Sequence, residues 1–162
     1  MTIGNSVTSI GTNAFRGCSS LTSITIPNSV TNININPFRN CENLVSIIVE
    51  SGNTIYDSRN NCNAIIYTES NTLISGCKNT TIPDDVVEIG SYAFYGCTGL
   101  SSIEIPVNVI YIYEYAFNSC TSLSSISYTG TIAQYNAISK GTAWNSNVPA
   151  TVVHCTDGDA PI

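Results

Sequence analysis

Seven cysteines, a single histidine and a few paired acidic residues are the groups in this 162-residue chain that could bind metal, attack a substrate or cross-link. Four of the cysteines, Cys18, Cys41, Cys97 and Cys120, follow a phenylalanine by three positions and precede a leucine by three. Tetrahedral zinc needs four convergent ligands, and no C-x-x-C spacing supplies them. A thiol nucleophile needs a base within hydrogen-bond reach. His154 is adjacent to Cys155, and neighbouring residues on a strand face opposite ways, so the two cannot act as a pair. Asp157-Gly158-Asp159 has the start of a calcium loop without its remaining ligands. Asp84-Asp85 follows Pro83, where acceptor side chains help a turn. There is no glycine-rich phosphate loop. The reading is a non-enzymatic chain with no metal and no cofactor. Asn79-Thr80-Thr81 is a formal glycosylation acceptor, relevant in a eukaryotic secretory pathway.

The regular context of the cysteines points to what positions them. Residues 3–24, 26–47, 82–103 and 105–126 share the pattern I-P-x-x-V-x-x-I-x-x-x-A-F-x-x-C-x-x-L-x-x-I, with Gly4 replacing Pro and Pro37 replacing Ala. The period is 23 residues, and Phe15, Phe38, Phe94 and Phe117 form one column. Each unit reads as one coil of a solenoid. Leu21, Ile24 and Ile26 alternate inward from a strand, Pro27 ends it because it cannot donate to the ladder, and the A-F-x-x-C segment is expected to form a short helical or 3₁₀ turn. One coil cannot bury its apolar face, so coils must stack and identical residues line up. The cysteine then fills a narrow inward position as a small hydrophobe. Stacked strands lie about 4.8 Å apart with parallel side chains, whereas a disulfide needs converging Cβ atoms about 3.8 Å apart, so buried free thiols are expected over Cys18–Cys41 or Cys97–Cys120 bridges. Cys62 and Cys77 fall outside the column and are the better candidates for a bridge if one exists.

The domain reading is one unit, residues 1–162, with a degenerate insertion at 48–81 and a C-terminal cap at 127–156. Inside the insertion, NAIIYT and TLISGC flank Glu69-Ser70-Asn71 and predict a β-hairpin, after which Cys77-x-x-Thr80-x-Ile82 re-enters the strand phase. After Ser127 the pattern stops. A capping helix is expected next, with Thr131 as N-cap and Gly141 as its stop, then a last strand in PATVVHC, with Trp144 plugging the open core. The expected total is five to seven coils.

Composition narrows the partners. Five basic against eleven acidic residues give a net charge of −6, which disfavours nucleic acid and anionic membranes. No apolar run approaches the roughly 18 residues of a membrane span. Met1-Thr2-Ile3 is not the start of a signal peptide, so none is expected in this chain.

The pattern, most complete in residues 26–47 and 82–103, resembles the BspA-type leucine-rich repeat family, and GNTIYDSRNNCNAIIYTESNTLISGCKNTTIP is similar to a degenerate insertion found in such proteins from gut commensals. The resemblance implies a leucine-rich repeat solenoid, β-rich with short turns, on a secreted or cell-surface protein. It further implies adhesion to host or bacterial surfaces, often through extracellular-matrix proteins such as fibronectin. The family also occurs in some mucosal protozoa. Its motif is structural and transfers no site residues.

Two surfaces are candidates for a partner. The outward positions of the long strands are Ser23, Thr25, Ser46, Ile48, Ser102, Glu104, Ser125 and Ser127, an extended face of the kind repeat proteins use, though also simply a solvated sheet. A regular threonine ladder, as for ice binding, is absent. The second is Tyr111, Tyr113 and Tyr115 with Tyr92 one coil below and Tyr95 nearby, expected at exposed positions. Such tyrosines give rigid contact area for protein or carbohydrate, and stacking along a column is the other role open to them. The predicted partner-binding set is Tyr92, Tyr95, Tyr111, Tyr113, Tyr115, Ser102 and Glu104, for a matrix or cell-surface protein or a glycan. A structural spacer presenting other domains is the alternative.

Overall fold

Isoleucines alternate along each coil, and their burial builds the fold. The computed structural model describes all 162 residues. The strands of the first half are β1 (Ser9–Ile10), β2 (Ser23–Ile26), β3 (Asn32–Ile33), β4 (Ser46–Val49), β5 (Tyr56–Asp57), β6 (Ala64–Tyr67) and β7 (Thr72–Gly76). Then come β8 (Glu88–Ile89), β9 (Ser102–Ile105), β10 (Tyr111–Ile112), β11 (Ser125–Tyr128), the helix α1 (Ile132–Ala137), β12 (Ser139–Lys140), β13 (Val152–Cys155) and β14 (Gly158–Pro161). Four-residue strands repeat once per coil and pair in parallel, Ser23 with Ser46 and Ser102 with Ser125. Ile24, Ile26, Ile103 and Ile105 point into the core. After each of these strands the amide of Val30 or Val109 closes a turn onto the preceding proline's carbonyl. A two-residue strand of a second sheet follows. The result is a solenoid of about six turns.

The A-F-x-x-C segment is not helical. In each coil two residues adopt left-handed φ: Asn13 and Gly17, Asn36 and Asn40, Tyr92 and Gly96, Tyr115 and Ser119, Ala143 and Asn147. A left-handed residue interrupts the i→i−4 ladder and turns alternate amides along the stacking axis. Thus Tyr92, Phe94 and Gly96 donate to the carbonyls of Glu114, Ala116 and Asn118 in the next coil, while Tyr95 and Cys97 close local turns. This face is a third ladder holding coil to coil.

The cysteine column does more than fill space. Cys41 Sγ donates to the Phe15 carbonyl at 2.9 Å, and Cys120 Sγ to that of Phe94 at 3.0 Å. All seven cysteines are free thiols, including Cys62 and Cys77. Cys18, in the outermost coil, is exposed because no neighbour covers it there.

The insertion forms the expected hairpin, β6 against β7, with a bulge at Ile65/Ile66. It is spliced into the short-strand sheet, whose order is β12-β10-β8-β7-β6-β5. Both faces of the hairpin are buried. Ala64, Ile66 and Leu73 pack into the C-terminal core, whereas Ile65 and Cys77 join a separate N-terminal cluster. The long-strand sheet is interrupted here: β2 pairs with β4 and through a single bridge with Thr2, and β9, β11, β13 and β14 form another sheet. Consequently residues 77–82 do not re-enter a strand. Thr80 Oγ1 instead accepts from the Cys77 amide and donates to the Asn63 carbonyl, both at 2.8 Å.

At the far end the repeat continues past Ser127 as a degenerate coil. Thr131 caps α1 in a reciprocal capping box with Gln134, and Asp157 Oδ1 accepts from the Ile132 amide at 2.7 Å. Gly141 is not the helix stop. The helix ends at Ala137, and β12 runs directly on to pair with β10. Gly141 is required because a Cβ there would lie 2.4 Å from the Glu114 amide nitrogen. Trp144 occupies the phenylalanine column, edge-on to Phe117 at 6.0 Å, and its carbonyl accepts from the Phe117 amide. The last strand, β13, forms as expected and is followed by β14, which turns back antiparallel through Asp157.

Candidate partner-binding face

Stacking puts Tyr92, Tyr95 and Tyr115 of two successive coils into one strip. Tyr92 and Tyr115 occupy equivalent turns and their rings stack at 5.0 Å, 22° apart. Tyr95 leans against Tyr92 at 5.6 Å. Tyr111 and Tyr113 flank the Ile112 position of β10, with ring centroids 4.2 Å apart. Tyr113 Oη donates to Glu88 at 3.3 Å, and burial together with that carboxylate pushes its phenol above the usual range. Ser91 Oγ donates to Glu114 at 2.7 Å and holds that carboxyl below its ordinary value. All five tyrosines are half-buried rather than fully exposed, because each ring rests on a neighbour.

Tyr92 and Tyr115 hold φ of 60° and 57°, where the first two coils place Asn13 and Asn36. Asparagine visits this region readily and a bulky side chain does not. The second half of the molecule therefore carries tyrosine at a position where the backbone disfavours it.

Sequence reasoning missed Arg39. Its guanidinium carbon lies 4.4 Å from the Tyr95 ring centroid, and Nη2 donates to Tyr95 Oη at 3.2 Å, although 56 residues separate them. The available signal was the column Arg16, Arg39, Tyr95, Asn118, which places arginine and tyrosine at the same point of successive turns. The contact forms because the hairpin enters only the sheet side of the stack. On the turn side the second coil meets the unit 82–103 directly: a Cβ on Gly96 would lie 2.3 Å from Asn40 Oδ1.

That junction is a seam. The amides of Phe38 and Asn40 find no partner across it, whereas their equivalents Phe15 and Gly17 donate to Pro37 and Arg39. Two surface grooves open along it. One, of about 270 Å³, is lined by Thr12, Asn13, Ile35, Asn36, Arg39 and Tyr92. The other, of about 200 Å³, lies among Ile33, Asn34, Ile35, Ile74, Gly90 and Ser91.

Ser102 and Glu104 are not part of this strip. They sit on β9 in the other sheet, where Glu104, Ser127, His154 and Asp159 form a row across four strands. His154 Nδ1 bonds Asp159 Oδ1 at 2.8 Å, with both side chains more than half exposed. Ser127 makes no hydrogen bond to the histidine, so the row is a surface histidine–carboxylate hydrogen bond beside a serine. No group of three or more His, Cys, Asp or Glu side chains is placed to hold a metal ion. No helix is long and apolar enough to cross a membrane.

The sequence profile of the BspA-type leucine-rich repeat region matches residues 1–75 and 65–146, in six copies. The chain belongs to the BspA-type leucine-rich repeat family. Among solved structures it is similar to a leucine-rich repeat protein from Eubacterium ventriosum, at 25% identity and a TM-score of 0.75, over 97% of this chain and 42% of that one. A leucine-rich cell surface protein from Faecalibacterium prausnitzii matches at 35% identity and a TM-score of 0.53, over 86% of this chain and 34% of that one. The pneumococcal vaccine antigen PcpA shares the fold at 16% identity and a TM-score of 0.55, over 96% of this chain and 56% of that one. No curated protein matches the chain in sequence. The chain thus spans about a third to just over half of the length of these relatives.

Proposed function

We propose that this chain is a non-enzymatic adhesion module of a secreted or cell-surface bacterial protein. Its tyrosine face would bind a macromolecule on another surface, a host matrix or cell-surface protein or the glycan it carries. The observation that carries this reading is the strip of Tyr92, Tyr95 and Tyr115 joined to Arg39 across the seam, with the Tyr111–Tyr113 pair in the same coil as Tyr115. Tyrosine and arginine are the residue types that dominate strong interfaces, and rings fixed by stacking lose little entropy on binding. Tyrosine at two left-handed positions supports the reading, since asparagine would suit the backbone better there. The name of the Faecalibacterium relative supports a cell-surface location.

A purified chain screened against matrix proteins and mucosal glycans tests it, alongside a variant with Tyr92, Tyr111, Tyr113 and Tyr115 changed to Ser. Saturable binding lost in the variant, with the fold intact by circular dichroism, is the expected result. The second reading is a structural spacer, favoured by the Tyr92–Tyr115 stack, which by itself extends a column. A spacer captures nothing, and the four changes then lower stability alone.

A further inference from the structure

We propose that the seam holds one ordered water molecule, which takes the place of the main-chain hydrogen bond missing between the second coil and the unit 82–103. The site follows from the register of the turns. Phe15 donates its amide to the Pro37 carbonyl one coil on, and Phe94 donates to Ala116. Phe38 follows Phe15 in the same column, their rings 5.6 Å apart, so its amide points the same way, into the seam. The acceptor that the repeat assigns to it is the Ala93 carbonyl. The hairpin has taken that acceptor: the Gly76 amide donates to Ala93 at 2.9 Å. The thiol bond fails at the same place. Cys41 donates to the Phe15 carbonyl and Cys120 to that of Phe94, but Cys97 makes no such bond to Phe38.

Between these groups lies a pocket of about 10 Å³, with Asn36, Phe38, Ser75, Gly76, Ala93 and Cys97 in its wall. That is room for a single water and for nothing larger. The polar part of the wall commits the pocket to water. Ser75 and Asn36 are only 3% and 7% exposed, and neither side chain has a hydrogen-bond partner in the protein. Both can still be reached, because the unpartnered side-chain atoms sealed from solvent are Asn13 Oδ1 and Arg39 Nε alone. An apolar pocket of this size stays dry, whereas an amide donor, a hydroxyl and a carboxamide supply the two to four partners that a buried water needs. A cation has no anionic ligand here. No carboxylate lines the pocket, and burial raises the thiols of Cys41, Cys77 and Cys97, which stay protonated at neutral pH. The water accepts from the Phe38 amide and bonds to Ser75 Oγ and the Asn36 side chain. A buried polar group left unpaired is costly, and a bridging water is nearly as favourable as a direct bond. The hairpin thus displaces one rung of the turn ladder, and solvent replaces it. Occupancy of this site is independent of whether the tyrosine strip binds a partner.

A high-resolution crystal structure of the full chain tests this directly. It should show one ordered oxygen within hydrogen-bond distance of Phe38 N and Ser75 Oγ. In solution, a rotating-frame Overhauser experiment on isotope-labelled protein should give a water cross-peak at the Phe38 amide. None is expected at Phe94, whose amide is bonded to Ala116. A serine hydroxyl proton can imitate such a peak. Ser75→Ala removes that proton, so the peak should persist in this variant, with the Phe38 amide and Asn36 still in place. Ser75→Val fills the pocket and should abolish the peak while circular dichroism stays native. If Ser75→Val fails to fold, the crystal structure and Ser75→Ala decide. A pocket free of density in the crystal, a Phe38 amide bonded directly to a protein acceptor, or a cross-peak lost in Ser75→Ala or retained in Ser75→Val overturns the proposal.

Discussion

The junction between the second coil and the unit 82–103 differs from the junctions beyond it, although the repeats that meet there carry the same motif. From residue 82 onward each turn hands three amides to the next coil, and the Phe94 and Phe117 rings stack at 4.8 Å in an enclosed core. At the seam the third ladder stops and the apolar core divides into two clusters. A small pocket lies there as well, among Phe38, Cys41, Gly76 and Phe94. In a repeat protein the stability of a coil is set by its interfaces with its neighbours. The hairpin gives up one regular interface, and the surface opened by that loss brings Arg39 to Tyr95.

The largest expected contrast is in the phenylalanine column. Phe94→Ala should cost about 3–5 kcal/mol in urea unfolding, as for other fully buried phenylalanines. Phe15→Ala, whose ring is only half-buried in the outermost coil, should cost well under half of that. Equal losses would mean that the two halves are packed alike.

Next in size are two glycines held by close approach. A Cβ on Gly76 would lie 2.2 Å from the Phe94 ring, and one on Gly141 would press on the backbone of Tyr113 and Glu114. Gly76→Ala and Gly141→Ala should each lower stability by about 1–3 kcal/mol, the range for overpacking. Gly11→Ala, with nothing within 4 Å of the added carbon, should leave the unfolding midpoint nearly unchanged.

Alkaline pH separates the enclosed stack by a smaller amount. Burial raises the Cys97 thiol and pushes Cys120 up to about 12 from an ordinary 9.0. Below pH 9 these thiols are protonated in folded and unfolded chains alike, and their contribution is constant. Above it the unfolded chain releases protons that the folded chain retains, so stability falls as pH rises toward the folded values. Urea midpoints measured under reducing conditions should fall more steeply from pH 9 to 11 in the native chain than in Cys97→Ala/Cys120→Ala. Parallel curves would contradict the burial of these thiols.

The finest contrast is local. Amide exchange at Phe38 and Asn40 should be faster than at Phe94 and Gly96, whose protons are bonded to the next coil. Equal protection would close the seam.

Much of this could be read from the chain. Apolar spacing alone places the inward isoleucines and the coil period, because alternation and stacking act between near neighbours. Glu69-Ser70-Asn71 marked the hairpin, and Thr131 marked the start of α1, since turn and cap chemistry lie within a few residues. The turn conformation was harder to see. Asn13, Asn36 and Gly17 suit left-handed backbone, but Tyr92, Tyr115 and Ser119 hide the pattern. The thiol bonds to the carbonyls of the preceding coil, and Trp144 in the phenylalanine column, also escaped the motif, the latter because the cap coil is longer than the repeat.

The sequence by itself determined the solenoid, its period and the presence of a tyrosine column, because these follow from local spacing repeated coil after coil. Tertiary structure decided which coils touch. The hairpin has polar backbone edges that must be paired, and the short-strand sheet supplied the partners in β5 and β8. That choice left the turn face free to close directly from Asn40 onto Gly96, carrying Arg39 to Tyr95 and leaving a groove between Arg39 and Tyr92. The column spacing puts Arg39 and Tyr95 at the same point of their turns, but whether those turns touch depends on the side of the stack into which the hairpin is paired.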